Sequence, residues 1–173
     1  AISFLDPQKI VNSLPLTKEM VAADFGCGTG GWVIPLARIL SEGIVYAIDV
    51  QETPLSSLTS KINLEGLSNI KKILADVENN IKALSDNSCD LVIMSNLLFQ
   101  VEDKKNVFKQ ANRVLKPGGL LLVVDWKEDA VIGPAEGMVA KDEVEKIAQE
   151  MDFILEKEID AGSYHYGILF RKM

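Results

Sequence analysis

The alternation of apolar runs in this 173-residue chain predicts an α/β fold: a doubly wound, seven-stranded sheet, mostly parallel, with an antiparallel last strand. Three observations carry that expectation. Short β-branched runs alternate with longer stretches whose apolar residues recur at helical spacing. The first run, Val21-Ala22-Ala23-Asp24, leads through Phe25-Gly26-Cys27-Gly28-Thr29-Gly30-Gly31 into a helical pattern. The chain closes on two β-rich runs joined by Asp160-Ala161-Gly162-Ser163, so the last must run against its neighbour. In such sheets ligands bind beyond the carboxyl ends of the strands.

Each element has a local reason. Asp6-Pro7 reads as a helix start, because Asp caps and Pro brings a preset φ to the first turn. Ile10, Val11 and Leu14 give that helix an apolar face, and Pro15 stops it. The first strand spans about Met20 to Asp24. Trp32 to Leu40 is apolar almost all round, which suits a helix buried against a sheet. Pro35 is tolerated there because the first turn does not need its N–H. Ile44 to Ile48 is a continuous apolar strand that ends in Asp49. Thr53-Pro54 is expected to cap a helix that closes near Gly66. Ile70 to Ala75 is a third strand, ending in Asp76, and Asp90 to Met94 is a fourth, followed by Ser95-Asn96. Val107, Phe108, Ala111, Val114 and Leu115 recur at helical spacing. Pro117-Gly118-Gly119 is expected to break that helix before a fifth strand, Leu120 to Val124, which ends at Asp125-Trp126. Ala130 to Val139 reads as a loop around Gly133, Pro134 and Gly137. Val144, Ile147, Ala148 and Met151 mark the last helix, and Phe153 to Ile159 and Tyr164 to Phe170 are the closing strands.

Composition narrows the class. The length suits one domain over residues 1–173, and 47% hydrophobic residues exclude a disordered chain. A net charge of −7 without a basic block disfavours a surface that tracks nucleic-acid phosphates. Cys27 and Cys89 are too few for a disulfide scaffold or a thiolate cluster, and no metal site is expected. No apolar run reaches membrane-spanning length, and the N-terminus lacks the charged-then-apolar order of a signal peptide. The expectation is a soluble cytoplasmic protein with a small-molecule partner. Its abrupt opening, Ala1-Ile2-Ser3, leaves room for residues upstream.

The glycine stretch can be read in two ways. Gly26, Gly28 and Gly31 satisfy the dinucleotide fingerprint G-x-G-x-x-G, whereas Asp24, Gly26, Gly28 and Gly30 satisfy D-x-G-x-G-x-G. A turn of this kind offers backbone N–H groups at a positive helix end, or merely packs a helix on a strand. Asp49 stands 18 residues beyond Gly31, where an acid can grip two ribose hydroxyls in either reading. Asp24 separates the readings. A carboxylate beside the turn repels a pyrophosphate and attracts an ammonium. Asp76 with Val77 stands where an adenine amine and ring face can be met.

The series Asp24 to Gly30, Asp49, Ala75-Asp76-Val77, Asp90 to Asn96 and Arg113 to Gly119 resembles the successive motifs of the class I S-adenosylmethionine-dependent methyltransferases, in that family's order, over about residues 20 to 125. The paired closing strands resemble that family's inserted antiparallel last strand. The resemblance implies a Rossmann-like sheet and S-adenosyl-L-methionine as cofactor. It implies that Asp24, Phe25, Gly26, Cys27, Gly28 and Gly30 face the methionine part, Asp49 and Val50 the ribose, Asp76 and Val77 the adenine, and Asn96 the sulfonium and the incoming acceptor. Ser95-Asn96-Leu97-Leu98 stands in place of the proline-proline-aromatic cluster of nucleic-acid amino-methyltransferases, and arsenite chemistry needs more cysteines. The small-molecule, quinone-methyltransferase-like branch remains, with the acceptor open.

Methyl transfer from a sulfonium is an in-line displacement, so alignment and exclusion of water dominate. A base is needed only for an acceptor with a proton of high pKa. Asn96, Tyr164 and His165, the sole histidine, are the catalytic candidates because all three fall on the carboxyl-end rim. An NAD-dependent oxidoreductase and a non-catalytic nucleotide-binding module are the alternative readings.

Overall fold

The computed structural model describes residues 1–173. A seven-stranded sheet forms from β1 (Val21–Phe25), β2 (Ile44–Asp49), β3 (Ile70–Leu74), β4 (Cys89–Ser95), β5 (Leu115–Trp126), β6 (Phe153–Ile159) and β7 (His165–Lys172). The spatial order is β3-β2-β1-β4-β5-β7-β6. Pairings among β1 to β5 are parallel, and β7 runs antiparallel to both β5 and β6. The doubly wound sheet with a reversed last strand is therefore the observed fold.

Period-two alternation along the strands sorts side chains into two cores. Ala23, Phe25, Val92, Met94, Leu121, Val123 and Ile168 face α4 (Lys104–Val114) and α5 (Lys141–Glu150). Ala22, Val45, Ala47, Leu91, Ile93, Leu122 and Val124 face α1 (Pro7–Ser13), α2 (Val33–Ile39) and α3 (Glu52–Glu65). Asp24 shares the parity of Ala22, so its carboxylate is carried to the α1–α3 side and buried.

Local signals fared unevenly. Asp6 caps α1 as expected, accepting from the Lys9 amide at 3.2 Å. Thr53 does not cap α3. Asp49 takes the Gln51 amide at 3.0 Å and draws the helix start forward to Glu52. Pro117-Gly118-Gly119 does not separate helix from strand either. β5 begins at Leu115 and absorbs the three residues as an irregularity opposite Cys89–Leu91. Residues 130–139 form the expected loop without regular structure. No helix is long and apolar enough to cross a membrane.

Candidate functional site

The sheet order turns between β1 and β4, with β2 and β3 continuing to one side and β5 to the other. A cleft of about 690 Å³ opens at the carboxyl ends there. Its walls are the glycine turn, the ends of β2 and β3, and the segment after β4.

The turn is fastened before any ligand arrives. The Gly26 and Cys27 amides both donate to the Ile48 carbonyl, at 2.9 and 2.8 Å. The Gly28 amide donates to Asp49 Oδ2 at 3.0 Å, while Asp49 Oδ1 takes the Gln51 amide. Two backbone bonds orient the Asp49 carboxylate and leave it acceptor capacity on the cleft. Gly28 has a φ of 53°, and a Cβ there would stand in open space with nothing within 4 Å, on the cleft side. Gly30 is different. At φ 94°, its Cβ would lie 2.5 Å from Leu58 Cδ1, so this glycine lets α3 pack against the turn and does not line the cleft. Gly31 has open space around it and no positive φ. The close-packing glycine is thus the last of D-x-G-x-G-x-G, not the last of the dinucleotide spacing.

Asp24 is 1% exposed, and neither carboxylate oxygen has a hydrogen-bond partner. Burial first and the neighbouring Asp49 charge second push its pKa up to about 7. Asp76 lines the cleft with Oδ1 on the Glu78 amide at 2.9 Å and Oδ2 on the Asn79 side-chain amide at 3.0 Å. Val77 and the exposed Val50 supply apolar wall on either side. Asn96 has φ 52°, unusual for a residue other than glycine, and its buried Oδ1 is unpartnered. An unpartnered buried polar atom costs about 1–3 kcal/mol, and Asp24 and Asn96 both carry one.

The remaining expected residues are spread more widely. Phe25 is fully buried in the α4–α5 core and lines no part of the cleft. Cys27 lines it, but burial drives the thiol well above its ordinary pKa and makes it a packing group. Tyr164 and His165 stand where topology demands, at the carboxyl-end rim, yet neither lines the cleft. His165 stacks on Trp126 with ring centroids 4.1 Å apart and borders a separate hollow of about 280 Å³ with Lys127, Lys141 and Glu158. Its Nε2 is buried without a partner, and burial with the Lys127 charge lowers its pKa. Tyr164 packs against Phe4 at 5.9 Å.

The cleft also uses residues to which motif reading gave no role. Ser95 closes β4, and Leu97, Gln100 and Val101 follow it at the rim, a placement the strand pattern already implied. Leu5 and Pro7 come from the N-terminal segment, and no local signal places them at the cleft. The lining contains Asp49, Asp76 and Glu78 and no lysine, arginine or histidine.

Comparisons with known proteins agree with this geometry. Residues 23–123 match the family described as a methyltransferase domain. A demethylmenaquinone methyltransferase of Geobacillus kaustophilus is 32% identical over 73% of this chain and 53% of its own length. One from Staphylococcus aureus is 33% identical over 70% of this chain and 49% of its own. The chain thus spans about half the length of the curated relatives it matches. The crystal structure of an S-adenosylmethionine-dependent methyltransferase from Aquifex aeolicus superposes with a TM-score of 0.89 at 29% identity, covering 98% of this chain and 91% of that one. Since the family match runs unbroken from β1 through the glycine turn to β5, this chain belongs to the class I S-adenosylmethionine-dependent methyltransferase family.

Proposed function

We propose that this chain transfers a methyl group from S-adenosyl-L-methionine to a small-molecule acceptor. The observation that carries the reading is the charge of the cleft. Its three carboxylates face no cation in the lining, and the unpartnered Asp24 carboxylate lies buried two residues before the turn. Such a field favours a ligand with a sulfonium and an ammonium and disfavours a pyrophosphate. The buried orphan oxygens of Asp24 and Asn96, and the space over Gly28, are what the methionine end of such a ligand requires.

In this reading Asp49, already aimed by Gly28 and Gln51, accepts from the ribose hydroxyls, with Val50 beside it. Asp76 accepts from the adenine amine and Val77 packs on the ring. Gly26, Cys27, Gly28 and Gly30 shape the turn on which the methionine end rests, and Phe25 supports it from the core. When bound, the cofactor supplies an electrophilic methyl on a positively charged sulfur, so the protein's work is alignment and exclusion of water. Asn96 Oδ1 is the polar atom we assign to the acceptor side. Leu97 and Val101 exclude water there. The Trp126–His165 stack and Tyr164 stand at the same rim, outside the cleft lining. His165 serves as a proton acceptor only for an acceptor long enough to reach from Asn96 to that stack.

The curated relatives are named for a demethylated quinone, and a flat, apolar acceptor is the class we extend to this chain. Nucleic acid and membrane partners do not enter this reading. A cytoplasmic setting goes with two unpaired cysteines. Titration calorimetry with S-adenosylmethionine, S-adenosylhomocysteine and NAD tests the first half. Binding of the first two and not the third is expected; NAD binding alone overturns the reading in favour of an oxidoreductase. Labelled methyl transfer to hydroquinones, phenols, amines and thiols tests the second half. A protein that binds the cofactor and methylates none of them is a binding module.

A further inference from the structure

The penultimate residue of β5, Asp125, is a fully buried carboxylate that the cleft does not touch. No salt bridge partners it. A charge in such a place is costly unless hydrogen bonds compensate it. Here they come from backbone. Oδ2 accepts from the Leu98 amide at 2.9 Å and Oδ1 from the Trp126 amide at 2.8 Å, with the Leu97 amide adding to the favourable field. Leu98 opens the short 3-10 turn Leu98–Gln100 that follows Asn96, so the carboxylate caps that turn from a neighbouring strand.

The capped segment is one whole wall of the cleft. The Asn96 amide is bonded to the Val124 carbonyl at 2.8 Å, immediately before Asp125 in β5. Leu97 presses on the glycine turn from the other side, where a Cβ on Gly26 would lie 2.9 Å from its Cδ1. Asn96 holds a left-handed backbone conformation at φ 52°, which a residue other than glycine keeps only where its surroundings support it. The two bonds from β5, one to residue 96 and one to residue 98, are that support.

We propose that Asp125 is a positioning residue, which through the Leu97 and Leu98 amides holds Asn96, Leu97, Gln100 and Val101 in the shape that receives the cofactor. The inference rests on the proposed function, because the ligand it concerns is that of the same cleft. The burial of an acid near the end of β5, held by backbone amides and the Lys104 charge and without a salt bridge, then has a reason in the cleft wall.

The test is calorimetric binding of S-adenosylhomocysteine, well below the melting temperature, to the wild type, Asp125→Ala, Asp125→Asn and Val114→Ala. Val114 is buried at the end of α4, by the start of β4 and at the opposite end of the sheet from the cleft, so its variant reports lost stability alone. Asp125→Ala should raise Kd about tenfold or more, as loss of a charge-assisted bond to the wall implies. Asp125→Asn, which keeps one acceptor oxygen but loses the charge, should recover only part of the affinity and leave Kd measurably raised, about threefold, and Val114→Ala should bind as the wild type does. A Kd for Asp125→Ala within about twofold of wild type overturns the positioning role. So does an equal loss in Val114→Ala. Should Asp125→Ala not fold, Asp125→Asn decides: a measurably raised Kd supports the role and an unchanged one overturns it. A wild type that does not bind the ligand overturns the functional reading as well as this inference.

Discussion

Replacing Asp24 by Asn should stabilise the unliganded protein at alkaline pH while weakening the cofactor. Burial and the Asp49 charge push the Asp24 carboxyl up to about 7 in the fold from the ordinary 3.8 of an aspartate. An acid whose folded pKa is raised keeps a proton that the unfolded chain has released. Stability therefore falls as pH rises from about 4 to about 7 and is flat above that. A displacement of about 3 pH units at 1.36 kcal/mol each amounts to about 4 kcal/mol, fully present at pH 8. Full burial leaves little solvent screening to discount it. Asn occupies the same volume, has no charge to desolvate, and leaves an unpartnered polar group much as the neutral acid does. The variant's advantage should be near zero below about pH 4, rise through about 1.5 kcal/mol at pH 5 and reach about 4 kcal/mol at pH 8, or roughly 10 °C in melting temperature for a chain of this size. Urea or thermal unfolding of both proteins at several pH values between 5 and 8 measures the difference. Calorimetry at pH 8 should show the reverse order for S-adenosylhomocysteine, whose ammonium is left without its carboxylate. Stability curves that stay parallel across this range refute the claim that a buried, unpartnered charge sits behind the turn.

Three further outcomes are expected. Asp49→Ala should weaken S-adenosylmethionine by at least about 1–3 kcal/mol, because charge-assisted bonds to the ribose and the tether on Gly28 are lost together; unchanged calorimetric affinity removes Asp49 from the pocket. Gly28→Val should abolish binding while the far-ultraviolet circular dichroism stays close to wild type, since its side chain would stand in the cleft at a φ of 53° that β-branched residues avoid. A variant that binds normally makes the turn purely structural. With an acceptor that carries an ionisable proton, turnover should rise with pH through a value below the ordinary histidine range, because burial and Lys127 depress the His165 pKa. His165→Ala should lose that rise, and a variant with full activity and an unaltered profile takes His165 out of the reaction.

The alternation of strands and helices, the reversed last strand and the rim positions of Asp49, Asp76 and Asn96 were legible in the chain. They rest on periods of 2 and 3.6 residues and on where an apolar run stops, all of which are local properties. The paired glycine spacings were visible too, but not which of Gly30 and Gly31 is packed against the rest of the fold. That was decided by Leu58, some thirty residues on, which packs against Gly30 and ignores Gly31. Tertiary structure alone sent Phe25 into the α4–α5 core, left both oxygens of Asp24 without a donor, and carried His165 onto Trp126 away from the cleft. It also brought Leu5 and Pro7 to the pocket and set Asp125 behind the wall that follows β4. Sequence patterns state which face a side chain takes. Whether that face offers a partner, a ligand or neither depends on groups far away in the chain, and burial and pKa follow from their sum.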